Sequence, residues 1–149
     1  MVYRASYIKS VSTMIASMLP HRAPMLMITK LLTHDKQKII ALASIDANNP
    51  LLQKGRFPGY ASLELLAQTS GLFLGLKFTA NTAPGAIIAL RNMEIYVPFI
   101  PCGETLIIES TFLGGSQHAA MFEGTVLIGK RVVMKASITL SLFPEEEKT

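Results

Sequence analysis

Apolar residues at Ile8, Val11, Ile15 and Met18, three or four apart, predict a short amphipathic helix over 8–18. The proline-bracketed run Leu19-Pro20-His21-Arg22-Ala23-Pro24 ends it in a turn. Residues 25–32 and 38–45 read as a strand pair joined across 33–37, and 46–59, rich in Asn, Pro and Gly, reads as a loop. Over 60–76 the pattern changes. Leu63, Leu66, Ala67, Ser70 and Leu74 share one helical face, yet Leu65, Leu72 and Phe73 make the remaining faces apolar too. A helix that is apolar nearly all round is buried on several sides. After a loop at 79–85 come strands over 86–96 and 104–112, separated by Pro98, Pro101 and Gly103. Residues 118–128 and 131–143 form a hairpin about Gly129-Lys130, and the charged tail 144–149 frays. The pattern amounts to about five strands and one long buried helix. That is an α+β chain in which an antiparallel sheet wraps around a central helix. No repeat or linker interrupts it, so residues 1–149 read as one domain.

Composition sharpens this picture in three ways. Half of the residues are apolar and only 16% are charged, which excludes a disordered chain and suggests that some apolar surface is covered by another subunit. Fourteen Lys and Arg against ten Asp and Glu give a formal charge of +4, suited to an acidic partner but too weak to argue for nucleic acid. The single cysteine, Cys102, excludes an internal disulfide framework and points to a reducing compartment, with the cytoplasm as the default. No segment approaches the roughly 18 apolar residues a membrane span needs, so the chain reads as soluble.

Glu64 is the first candidate for chemistry, because it is the only ionisable side chain between Tyr60 and Leu76. A lone buried carboxylate is costly unless paired, and such groups cluster at functional sites. The alternative is that it lies at a helix edge or subunit seam and is simply solvated. Gln68, four residues on, can hold one carboxylate oxygen. Pro58-Gly59 precedes the helix, where unbonded first-turn amides offer donors to a carbonyl oxygen gaining negative charge; a plain turn is the competing reading. His34 and His118 read as surface residues. His21 is either a general acid/base or a brace for its own turn. No His, Asp or Glu cluster has metal-ligand spacing, and the methionines sit at core-like positions.

Three motifs in order carry a resemblance. Leu19-Pro20-His21-Arg22-Ala23-Pro24-Met25-Leu26 resembles the opening of the 3-hydroxyacyl-[acyl-carrier-protein] dehydratases of fatty-acid synthesis, which share the hotdog fold. Pro58-Gly59-Tyr60-Ala61-Ser62-Leu63-Glu64-Leu65-Leu66-Ala67-Gln68 matches their Pro-Gly, Glu and Ala-Gln helix without a gap, and 97–104 resembles the proline-containing turn before their next strand. The resemblance implies a dimer pairing two sheets edge to edge, with acyl tunnels at the interface. It also implies Glu64 as the group that helps the β-hydroxyl depart, with Gly59, Tyr60 and Gln68 facing substrate. The family's α-proton acceptor, a histidine in a His-Phe-Pro-Gly loop, has no counterpart: here the text is Gly55-Arg56-Phe57-Pro58-Gly59, in a shorter loop. Arginine stays protonated and cannot take that proton. His21 is the replacement candidate.

The short loop also resembles the dehydratase-like branch of aryl-polyene pathways, which implies a place beside a second, fuller dehydratase. Three readings follow: a dehydratase of β-hydroxyacyl thioesters using Glu64 and His21, a hotdog acyl thioesterase in which Glu64 activates water, or a non-catalytic acyl-binding partner subunit. An acidic acyl carrier protein would dock on Arg22, Lys54, Arg56 or Arg91, unless these are merely solvated. Phosphopantetheine would arrive as part of the substrate, and no resident cofactor is expected.

Overall fold

A computed structural model describes residues 26–78 and 85–142 of the chain; the helix expected over 8–18, the turn that carries His21 and Arg22, and the tail lie outside them. The strands are β1 (Ile28–His34), β2 (Lys38–Ser44), β3 (Arg56–Pro58), β4 (Gly85–Ile95), β5 (Phe99–Pro101), β6 (Thr105–Ser116), β7 (Ala119–Ile128) and β8 (Arg131–Leu142). A single 3-10 turn, Gly59–Ala61, leads into the helix α1 (Ser62–Phe78). Six strands form one antiparallel sheet in the order β1-β2-β6-β7-β8-β4, and β3 pairs with β5 in a separate ribbon.

Where boundaries differ from the sequence pattern, local chemistry accounts for it. β1 runs on past residue 32 to His34 because Asp35 builds the turn: its Oδ1 accepts the amides of Gln37 and Lys38 at 2.8 Å each. β6 runs past Phe112 through a bulge between Phe112 and Gly114, which lengthens its hairpin with β7. All six segments read as strands lie in the sheet, one more than the rounded total of about five, whereas the pattern reads the ribbon only as loop and turn. Three-residue strands carrying proline show no alternation from which to read them.

α1 lies on the inner face of the sheet. Leu65, Leu66, Leu72 and Leu74 are fully buried, and they point to more than one side of the helix. Phe73 joins Phe112 and Phe122 in an aromatic cluster with ring centroids 5.3–5.7 Å apart. Midway along the helix the buried hydroxyls are satisfied: Ser70 Oγ and Ser110 Oγ share a hydrogen bond of 2.7 Å, and Thr69 Oγ1 donates to the Leu65 carbonyl.

The helix does not cover the whole sheet. On β8, Ile138 and Met134 are buried to 2% and 0% exposure, whereas their cross-strand partners on β4, Leu90 and Ile95, remain 45% and 44% exposed. Directly paired residues share a face, so the apolar inner face of the edge strand projects beyond the helix.

Replacing Phe122 by Ala empties the centre of the aromatic cluster and should cost about 3–5 kcal/mol in urea unfolding. Leu113→Ala, on an exposed part of β6, should stay within about 0.5 kcal/mol.

Candidate active site at the start of the buried helix

The ribbon sets the approach to the helix. Lys54 and Gly55 both have positive φ, 51° and 77°, and Gln53 and Arg56 exchange backbone hydrogen bonds across them. This is the geometry of a two-residue hairpin turn. It delivers Arg56 with its guanidinium 4.1 Å from the Phe99 ring centroid, exposed on the ribbon surface. Pro58 then pairs with Phe99, and the chain enters the 3-10 turn.

Gly59 serves a different purpose from the one expected. Its amide donates to the Pro98 carbonyl at 2.8 Å and so is not the donor offered to a ligand. A Cβ at this position would lie 1.9 Å from the Val97 carbonyl oxygen and 2.9 Å from Ile95 Cγ2. Glycine is therefore required because two backbones touch there. The amides of Tyr60 and Ala61, which follow, have no intrahelical carbonyl to bond. Tyr60 itself is half-exposed, and its hydroxyl accepts from Gln53 Nε2 across the hairpin turn. Ser62, the first helical residue, is fully buried, and its Oγ has no hydrogen-bond partner. Nothing in the sequence singled it out.

Glu64 is half-buried in the first turn of α1. Gln68 Nε2 donates to its Oε1 at 3.1 Å, the contact that the four-residue spacing predicts. Gln68 is fully buried, and its Oε1 accepts the Met27 amide at 3.0 Å. A backbone N–H can only donate, so this second bond fixes which end of the Gln68 amide faces Glu64. Met27 is tied down in turn: Asn49 Nδ2 donates to its Sδ at 3.1 Å, and Asn49 Oδ1 accepts the Leu51 amide. Asn49 and Met27 were missed in the sequence because their link to Gln68 spans distant chain positions. Only Asn49, a buried polar residue in a turn, carries a signal that could have drawn attention.

The structure brings together Gly59, Glu64 and Gln68 at one end of the helix and leaves the two described histidines, His34 and His118, elsewhere. His34 ends β1 and lines a groove with Leu76 and Lys77, twelve residues along α1 from Glu64, or about 18 Å at the helical rise. His118 is exposed in the turn between β6 and β7. Arg91 is exposed on β4, and Lys54 on the hairpin turn. Beside the site, Tyr96 donates to a Glu94 carboxylate oxygen, which raises the phenol above its ordinary pKa. Among the described residues no group of three His, Cys, Asp or Glu side chains is placed to hold a metal ion, and no helix is long and apolar enough to cross a membrane.

A long helix wrapped by an antiparallel sheet in the order β1-β2-β6-β7-β8-β4 defines a hotdog fold. The dehydratase heterocomplex ApeI:P of Xenorhabdus doucetiae has a chain of this fold, with a TM-score of 0.80 and 19% identity over 88% of this chain and 91% of that one. The PaaI protein of Escherichia coli superposes with a TM-score of 0.60 and 10% identity, covering 93% and 92%. At the level of sequence, residues 13–148 match the ApeP-like family, described as ApeP dehydratase, and the chain belongs to that family. It is also 31% identical over 133 residues to the 3-hydroxyacyl-[acyl-carrier-protein] dehydratase FabZ of Sodalis glossinidius, covering 83% of this chain and 87% of the relative. The same enzyme of Escherichia coli (strain K12 / DH10B) is 29% identical with the same coverage.

Two substitutions test this construction by unfolding. Gln68→Leu leaves the buried Met27 amide without its acceptor and should cost about 1–3 kcal/mol. Gly59→Ala drives a methyl group into the Val97 carbonyl and should cost at least about 1–3 kcal/mol.

Proposed function

We propose that this chain removes water from β-hydroxyacyl thioesters carried on acyl carrier protein, with Glu64 as its central catalytic group. The observation that carries the reading is the carboxylate in the first turn of a buried helix, steadied by Gln68 and the Met27 amide, in a chain of the ApeP-like dehydratase family. In the elimination a base takes the α-proton and the β-hydroxyl leaves with a proton from an acid. A C=C bond conjugated to the thioester forms, and one water is released. Glu64 protonates the departing hydroxyl, and His21 takes the α-proton. The amides that open the helix hold the thioester carbonyl while negative charge gathers on its oxygen. Gly59 shapes that turn through its contact with Val97, Tyr60 borders its outer side, and Gln68 orients the carboxylate.

The functional unit is a dimer formed edge to edge through β4. The uncovered Leu90 and Ile95 support this, because an exposed edge carrying apolar residues is otherwise an aggregation site. Gly59 packs against Ile95 on this same strand, so a subunit paired there borders the site. Arg56 and Lys54, on the ribbon that leads into the site, meet the acidic carrier protein. The phosphopantetheine arm comes with the substrate, no resident cofactor takes part, and the reaction runs in the cytoplasm.

A second reading has a specific observation behind it. The proton-accepting histidine of the related dehydratases has no counterpart in the shortened Gly55-Arg56-Phe57-Pro58-Gly59 text of this chain, and the structural neighbour from Xenorhabdus doucetiae is a dehydratase heterocomplex. In that reading a second hotdog dehydratase pairs on β4 and supplies the proton acceptor.

Mass spectrometry of 3-hydroxyacyl carrier protein incubated with the purified chain separates these readings. Enoyl product from the chain alone, lowered about 10²–10⁴-fold by Glu64→Gln, is the expected result. Product formed only when a second hotdog dehydratase is added supports the heteromer. Release of free carrier thiol without enoyl product would replace both by a thioesterase, and no turnover in any mixture would overturn the proposal.

A further inference from the structure

The far end of α1 carries a feature that the dehydration site does not use. A groove of about 500 Å³ opens there, lined by His34, Asp35, Lys36, Phe73, Leu76 and Lys77. That volume lies within the range of about 300–1,000 Å³ typical of small-molecule sites. Its apolar lining is Leu76 and Phe73, and Phe73 belongs to the Phe73–Phe112–Phe122 cluster. Its rim is charged and unbalanced. The one carboxylate, Asp35, is occupied in building its own turn: Oδ1 accepts the Gln37 and Lys38 amides, and these two bonds hold the carboxyl below its ordinary pKa. Asp35 therefore stays ionised, but the two ammonium groups of exposed Lys36 and exposed Lys77, with His34 beside them, leave the rim with an excess of positive charge. Lys77 is the only charged residue of α1 besides Glu64, and its Nζ stands 5.2 Å from the ring centroid of Phe112, which stacks on Phe73. One lysine in the last turn suffices to offset the negative end of the helix dipole, and the second, Lys36 in the turn between β1 and β2, exceeds that need.

We propose that this groove is a second binding site, for an anionic amphiphile whose apolar chain lies on Leu76 and Phe73 and whose carboxylate sits between Lys36 and Lys77. The apolar lining accounts for the chain and the paired ammonium groups for the head. The site is about 18 Å along the helix from Glu64, so its occupant and a thioester at the other end do not compete for one space.

Dodecanoate, used below its micellar concentration, is the probe. Amide shift changes in ¹⁵N-labelled protein should centre on residues 34–36 and 73–77. Affinity should rise by up to about fourfold for each methylene between octanoate and dodecanoate, as burial of about 0.8 kcal/mol per CH₂ implies. The double variant Lys36→Gln/Lys77→Gln, exposed positions that leave the core untouched, should weaken dodecanoate at least tenfold, while Glu64→Gln leaves it unchanged. The proposal fails if shifts centre on residues 59–64, if the lysine variant binds as well as the parent, or if dodecyltrimethylammonium binds as tightly as dodecanoate.

Discussion

A helix without a polar face can exist only where water is kept from nearly all of it, and the rest of this chain is arranged to meet that demand. Each fully buried leucine of α1 contributes about 1.5–3 kcal/mol only if something covers it. A flat sheet can cover one side of a helix, whereas Leu65, Leu66, Leu72 and Leu74 require more. The six strands therefore curl, and the two groups that α1 cannot bury are placed at its ends: Glu64 in the first turn and Lys77 in the last. Both chemically distinctive regions of the protein lie where the wrapped helix emerges.

At the first of these ends the carboxylate is steadied by a relay of hydrogen bonds. Asn49 steadies Met27, the Met27 amide orients Gln68, and Gln68 donates to Glu64. Each step is a hydrogen bond whose direction is settled by a group that can act in only one sense. The buried Gln68 amide is satisfied on both sides, so its cost of desolvation is met without introducing a second charge.

The same end is also where the sheet is wider than the helix. Gly59 presses on Val97 and Ile95, and β4 carries its apolar inner face outward from that contact. The close approach at Gly59 thus joins the start of the helix to the uncovered margin of the sheet. A hotdog chain with this margin has its candidate site at a border that a second subunit can complete.

Much of this was legible in the amino-acid order. The apolar residues on nearly every face of 60–76 announced a buried helix, the Glu64-Gln68 spacing announced their contact, and Gly129-Lys130 between two strand-like runs announced the closing hairpin, because all three depend on neighbours within a few residues. Other features had no local signature. The ribbon joins two proline-bearing triplets more than forty positions apart, and Met27 meets Gln68 over a similar separation. The need for glycine at 59 comes from the Val97 carbonyl, which no spacing around residue 59 reveals. Composition and short-range periodicity thus determined the helix, its lone acid and the strands that alternate. Which amide points at that acid, which backbone crowds the helix start and which sheet edge is left bare were decided only when distant segments packed, since those are properties of pairs of surfaces and not of any one stretch of chain.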